Sequence, residues 1–439
     1  MHEQTGLVID TSCRDGFLTH FVFGGSILLA NVSLDRTSRA LEFGLYRDGD
    51  NNLDTVQAAT IAQAIETSAH DRNIEFTVED TTSRRGVEPE NVLRTESYAI
   101  ADGKFERGRI DVSPPHDMSA RADLSAFVAR TLDNAETSHA TETWIDLVDH
   151  GGGDGGGLQS THSATGLMRE DDIAGAIADG VRAHAQAHPE DAPRAIDGVV
   201  ANQCLMATVA FSSALSHAGV RFLAASPETM LAPGVPTGVA HDIAANIGKP
   251  GDMARAVVET TMNTVYGPSA RDGFAPAAAF DVLDLAPQKI ATVERSVAAL
   301  DAALVRAART SPSARTAIRQ DARAIDGMVR FPAGKALPWR ADRPAVALYD
   351  TLAQDGRLGN DVRAAAGTAR DAIAATVLAH REVADYAPFD DADYSDAFGP
   401  TIHFPVSRNQ VDPWAPKISE TDNAFYGAVG ATDLAKVIA

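Results

Sequence analysis

Short apolar stretches rich in β-branched and aromatic residues alternate with stretches of helical periodicity over the first two thirds of the chain. That alternation predicts a mostly parallel sheet covered by helices, an α/β fold. Five stretches read as strands: Leu41 to Tyr46 (LEFGLY), Ile74 to Val78 (IEFTV), Thr143 to Val148 (TWIDLV), Gly198 to Ala201 (GVVA) and Val220 to Ala224 (VRFLA). Helical spacing fills 52–69, 120–135, 171–187, 205–217 and 251–265. From about residue 286 the chain turns rich in Ala, Leu and Arg at helical spacing, and the next strand pattern is PTIHFPVS at 400–407. The pattern divides the chain into an N-terminal extension (1–35), a sheet domain (36–285) and a helical C-terminal subdomain with one returning strand (286–439). Within the extension, two apolar runs flank Gly24-Gly25 and read as a hairpin.

Composition narrows the function classes. The chain has 439 residues, 60 Asp and Glu against 38 Lys and Arg, and a formal net charge of -22. Such a charge repels nucleic acid and anionic membrane and attracts basic peptides. The two cysteines, Cys13 and Cys204, make no disulfide framework and no zinc spacing. There is no signal-like start and no run of about 18 apolar residues, so the expectation is a soluble protein of a reducing compartment, the cytoplasm.

In a parallel sheet, ligands bind beyond the carboxyl ends of the strands. Three of the strands end in reactive residues: LEFGLY runs into Asp48, Asp50, Asn51 and Asn52, TWIDLV into Asp149 and His150, and GVVA into Asn202 and Cys204. A cysteine flanked by apolar residues is more often a buried core residue than a nucleophile. The pairing changes that balance, because a His and, about 50 residues later, a Cys, each after its own strand, is the order found in caspases. On this reading His150 is the base and Cys204 the nucleophile. Cys204 is expected to start a helix whose N-terminal end favours the thiolate. Gly151 and Cys204 supply the N–H groups for an oxyanion hole.

The segment DHGGGDGGGLQSTHSATG reads as a loop, serving either as a flexible linker or for close backbone approach to a ligand. It lacks both phosphate-loop patterns and a lysine, which argues against nucleotide binding. Within it, His162 is the one rival base to His150; His116, His139, His184 and His188 have no evident partners. Asp48, Asp50 and Asn52 begin like a calcium loop, but Leu53 stands where the loop glycine belongs, so an EF-hand is rejected and only another kind of calcium site is left open. No cofactor is required by a Cys-His pair. A serine hydrolase is disfavoured by the absence of a G-x-S-x-G elbow.

Four blocks, LYRDGDNNLD (45–54), LVDHGGG (147–153), NQCLMATVAFSSAL (202–215) and AASPET (224–229), resemble in order the landmarks of clostripain-like cysteine peptidases, relatives of caspases and gingipains. The segments 279–304, 399–407 and 423–438 are similar to that family's C-terminal portion. The resemblance implies a caspase-haemoglobinase-like sheet and a thiol endopeptidase of the Cys-His type acting on protein or peptide, usually after Arg or Lys. It also implies that the loop at 151–170 is self-cleaved, with Arg169 as its one basic residue; the alternative is a plain surface loop. The family commonly has Asp two residues before the nucleophile, at the floor of the pocket for the P1 side chain. Here that residue is Asn202, and a neutral amide does not compensate a buried cation as a carboxylate does. Asn202, Asp48, Asp50, Ser226 and Glu228 are the substrate-binding candidates. Either the carboxylates among them keep a basic P1, or the pocket takes a neutral or smaller residue. A silent binding or scaffold protein with a peptidase fold is the alternative from another class.

Overall fold

The computed structural model describes residues 18–23, 26–31, 38–55, 57–84, 92–105, 110–112, 115–160, 166–230, 234–266, 278–325, 341–383, 397–406 and 423–438. They fall into two units, Met1–Ser38 and Arg39–Ala439. In the first, β1 (Leu18–Phe23) and β2 (Ser26–Asn31) pair antiparallel with Phe23 opposite Ser26. Cys13, Gly24 and Gly25 lie outside the described residues.

The second unit is built on a ten-stranded sheet. Its parallel centre consists of β3 (Leu41–Gly49), β4 (Ile74–Arg84), β8 (Glu142–Val148), β11 (Gly198–Asn202) and β12 (Phe222–Ala225) in the order β12-β11-β8-β3-β4. Antiparallel strands extend both edges. On one side stand β5 (Val92–Ala101), β6 (Lys104–Phe105) and β7 (Ile110–Val112); on the other, β13 (Ala278–Asp284) and β15 (Val377–Val383). Three shorter pairing strands, β9 (Gly157–Gln159), β10 (Leu167–Met168) and β14 (Asp342–Pro344), and a fourth, β16 (Thr401–His403), form two separate ribbons, β9 with β10 and β14 with β16.

Alternation along the central strands sorts their side chains to two cores, as a pleat of period two requires. Leu45, Trp144, Val148 and Val200 meet α1 (Ala59–His70), α5 (Val239–Ala245) and α6 (Pro250–Thr261) on one face. Tyr46, Ile145, Leu147 and Val199 meet α2 (Arg121–Ser138), α3 (Glu170–Ala187) and α4 (Val209–His217) on the other. A third core joins α4 to α7 (Pro287–Thr310), α8 (Pro312–Ala324), α9 (Ala345–Gln354), α10 (Asn360–Ala374), α11 (Ala424–Val429) and α12 (Ala431–Ile438).

Beyond added strands at the sheet edges and a later start for α1, two elements near the C-terminal layer and the nucleophile turn differ from the sequence expectation. The strand that returns to the main sheet is β15, drawn from a stretch with helical spacing, while Thr401–His403 pairs with β14 and bridges Thr208 through Thr401. The chain on either side of residue 285 therefore shares one sheet. The helix expected over 205–217 begins at Val209, where Thr208 caps it by accepting a hydrogen bond from the Phe211 N–H at 2.9 Å.

Candidate functional site

From β3 the chain passes through α1 to β4 on one side, and later enters β8 on the other side of β3. The strand order reverses between β3 and β8, which is where an open α/β sheet forms its binding crevice. Asn52 follows β3 and His150 follows β8, so the two flank this point. The His150 Nε2 lies 2.9 Å from Asn52 Oδ1. A carbonyl oxygen only accepts, so with the amide in this orientation Nε2 carries the ring proton and Nδ1 the free lone pair. Burial holds His150 below the ordinary histidine value, which keeps the ring neutral. Asn52 stood in the sequence as one polar strand-end residue among several, without an assigned role. Its partner is 98 residues away, and no local pattern encodes that contact.

The next strand, β11, carries Cys204. Asn202 pairs with Val148 across the ladder, and the following turn places the Cys204 backbone against Gly151. A Cβ on Gly151 would stand 2.1 Å from the Cys204 carbonyl oxygen, so only glycine permits this approach. Leu205 takes a φ of 70°, a strained value for a branched side chain and a mark of a turn held by its surroundings. Among the described residues, neither the Gly151 nor the Cys204 N–H is donated to a backbone carbonyl.

The expected helix-terminus activation of Cys204 is corrected, since four residues separate the thiol from the first residue of α4. The thiol instead meets Met230: Sγ accepts from the Met230 N–H at 3.2 Å and lies 3.8 Å from its carbonyl oxygen. Burial pushes the thiol above its ordinary value, and the nearby Asp149 adds to the rise. The resting pair is thus a neutral thiol and a neutral imidazole.

The proposed substrate contacts are all buried here. Asn202 spends both ends of its amide on Val235, accepting from the N–H at 2.7 Å and donating to the carbonyl at 2.9 Å. Ser226 Oγ accepts from the Glu228 N–H at 3.0 Å and reaches the Ala279 carbonyl at 2.8 Å. The Glu228 carbonyl in turn accepts from the Leu205 N–H at 2.9 Å, which ties the nucleophile turn to the AASPET segment. Asp50 accepts from Ser160 Oγ at 2.6 Å, and Asp48 Oδ1 from the Asp50 N–H at 2.9 Å. Asp48, Asp50 and Asn52 therefore turn to different partners.

Three buried acids flank these residues. Desolvation raises the Asp48 carboxyl to about 7 and holds Asp149 well above the usual carboxylate range. Asp149 accepts from Asn51 Nδ2 at 2.6 Å and from the Gln159 N–H, which fastens the start of the glycine-rich segment. Asp146 on β8 faces the same side of the sheet as Asn202. It is fully buried, and neither of its oxygens makes a hydrogen bond of ordinary geometry among the described residues. Burial drives its carboxyl well up, with the Asn202 amide opposing the rise.

The described part of the glycine-rich segment, 149–160, is ordered into regular turns. It forms a 3-10 turn at Gly153–Gly155 and then β9, and most of its glycines are buried. Asp154 in that turn accepts from Tyr426 Oη at 2.8 Å, and the Thr401 N–H donates to the Ala207 carbonyl at 2.8 Å. The C-terminal layer thereby braces the segments after both His150 and Cys204. His162 lies outside the described residues, and Arg169 directly precedes α3.

No family model and no curated protein matches this chain. Solved structures do. An inactive zymogen of a C11 protease from Parabacteroides distasonis superposes with a TM-score of 0.57 at 13% identity, covering 90% of this chain and 99% of that one. A secreted C11 cysteine protease from Bacteroides thetaiotaomicron, iotapain, gives 0.57 at 12% identity over 90% and 100% of the two chains. A secreted C11 cysteine protease from the same organism in complex with an irreversible peptide inhibitor gives 0.56 at 13% over 89% and 99%. The mostly parallel sheet flanked by helices is therefore the caspase-like fold seen in C11, clostripain-family, cysteine proteases. No described helix is long and apolar enough to cross a membrane.

Proposed function

We propose that this protein is a cysteine endopeptidase in which Cys204 attacks the scissile carbonyl and His150 is the general base. The observation that carries the reading is the close approach of Gly151 to the Cys204 backbone, with neither N–H donated to a backbone carbonyl among the described residues. Because both groups rest neutral, the thiol proton passes to His150 Nδ1 as Sγ bonds to the carbonyl carbon. The oxyanion is held by the Gly151 and Cys204 N–H groups. His150 then returns the proton to the leaving amine as the C–N bond breaks, and water hydrolyses the thioester with His150 again as base.

For the P1 residue the reading is a basic side chain. Its support is the strongly acidic chain, which draws basic peptides, together with the resemblance of the LYRDGDNNLD and NQCLM blocks to clostripain-like peptidases. A reducing compartment such as the cytoplasm suits a catalytic thiol.

A peptide library hydrolysed by the parent chain, and by neither Cys204→Ala nor His150→Ala when both remain folded, is the expected outcome. Activity surviving in either variant overturns the assignment. A folded parent that neither cleaves the library nor is alkylated at Cys204 by an acyloxymethyl ketone peptide identifies a silent binding protein instead. A fluorogenic panel varying only P1 decides specificity: cleavage after neutral residues and none after Arg or Lys removes the basic-P1 reading.

A further inference from the structure

The helices α2 and α3 pack side by side and run in the same direction, with Arg121 beside Gly175 near one end and Asp133 beside His184 at the other. Each leads into a central strand, α2 into β8 and α3 into β11, so their C-terminal ends lie at the strands' amino ends. His150 and Cys204 lie at the opposite edge of the sheet. His184 stands in the last turn of α3, and His188, four residues on, is the residue that caps its C-terminal end. Both rings converge on a single oxygen of α2: Asp133 Oδ1 is 2.8 Å from His184 Nδ1 and 3.1 Å from His188 Nε2. The two ring centroids are 4.7 Å apart. The other nitrogen of His188 faces a second carboxylate, Asp191 Oδ2, at 3.4 Å.

We propose that His184 Nδ1, His188 Nε2 and Asp133 Oδ1 form a binding site for a divalent d-block cation, Zn²⁺ above all, that clamps the C-terminal ends of α2 and α3. The three donor atoms lie within 4.8 Å of one another. A tetrahedral ion with bonds of ~2.0 Å holds its ligand atoms roughly 3.3 Å apart, so a small outward shift of the rings and carboxylate admits it. The donor set is two imidazoles and one carboxylate. Zn²⁺, Ni²⁺, Co²⁺ and Cu²⁺ prefer such ligands, whereas Ca²⁺ and Mg²⁺ require oxygen. Asp191 stands where a metal-bound histidine usually donates its free N–H, an outer carboxylate that fixes the tautomer and strengthens the ligand. Binding needs the His184 proton on Nε2 and the His188 proton on Nδ1, a change of tautomer that releases no proton from neutral rings. Acid weakens it, because ligating imidazoles must be neutral. The site is open, with the Asp133 side chain 49% exposed, so an ion enters and water completes the coordination. Nothing in this assignment depends on peptidase activity.

The test uses the full chain carrying Cys204→Ala, so that the thiol and His150 do not take the ion themselves. Calorimetric titration with Zn²⁺ is expected to give one saturable site per chain, with no comparable response to Mg²⁺ or Ca²⁺. Co²⁺ should give the visible absorption of a tetrahedral site. His188→Ala and Asp133→Ala, both at partly exposed positions whose truncation leaves the core intact, should each weaken Zn²⁺ at least about tenfold and abolish the Co²⁺ spectrum. The proposal is overturned if the parent shows no saturable Zn²⁺ binding, if either variant binds as the parent does, or if Mg²⁺ binds equally well.

Discussion

The two ends of the central strands teach opposite lessons about polar residues in this fold. At the carboxyl ends of β3, β8 and β11, polar side chains are committed to distant partners, Asn51 to Asp149, Ser160 to Asp50 and Asn202 to Val235 in buried contacts and Asn52 to His150 in an exposed one. Burial raises the Asp48 and Asp149 carboxyls above the usual carboxylate range, and Leu205 sits in a strained conformation. At the amino ends, Asp133, His188 and Asp191 are partly exposed; His188 pairs with Asp133 of α2 and with Asp191 three residues on. One end accepts local cost for position, the feature on which the proposed active site rests. The other stays open to solvent and to ions.

That contrast can be broken experimentally. The largest effect is expected from Gly151→Ala, whose Cβ would overlap the Cys204 carbonyl. It should abolish turnover and lower unfolding free energy by at least about 3 kcal/mol, read from a denaturant midpoint. An active, stable Gly151→Ala protein would show that the two segments do not meet as described.

Next is Asn52→Asp. A carboxylate in place of the amide oxygen stabilises the imidazolium, so the acid limb of the kcat/KM profile should move to higher pH. Asn52→Ala should lower kcat roughly 10- to 100-fold with a smaller change in KM. A purely structural role for Asn52 predicts no displacement of the acid limb.

Asp48→Asn probes the buried acids. In the parent, the folded value of about 7 stands above the ordinary 3.8, so the native state holds its proton more tightly than the unfolded chain. Stability from this group is full below about pH 4 and is lost as pH rises through about 7. The amide that replaces the carboxyl does not titrate, and the stability profile across that window should flatten. An unchanged slope places the charge elsewhere, in Asp149 for instance.

The smallest effect is expected at the other end of the sheet. Without added metal, Asp133→Ala should change stability by less than about 1 kcal/mol, because exposed ion pairs contribute little. A loss as large as that of Gly151→Ala would erase the contrast between the two ends.

Much of the central sheet was legible from local pattern. The five strand stretches contain or overlap β3, β4, β8, β11 and β12, because buried parallel strands are continuous apolar runs bounded by turns. The start of α4 was not legible, since LMAT continues the apolar spacing and only the left-handed Leu205 and the Thr208 cap interrupt the helix. Nor was β15, whose Val377–Val383 segment follows α10 without a break in helical composition; pairing with β13 decides it. At the site, residue types and their order suggested a base and a nucleophile. They said nothing of Asn52 as the partner of His150, or of Asp133 as the meeting point of His184 and His188. Those contacts span 98, 51 and 55 residues.

What the sequence determined by itself was periodicity, which sets strands and helices, and the placement of reactive residues just after strands. Both are properties of the local chain, fixed by side-chain period and backbone preference. Only the tertiary structure decided the protonation states and the partners. Desolvation of the Cys204 thiol, Asp48 and Asp149 depends on what the other layers remove from water, and the tautomer of His150 on which distant oxygen reaches Nε2.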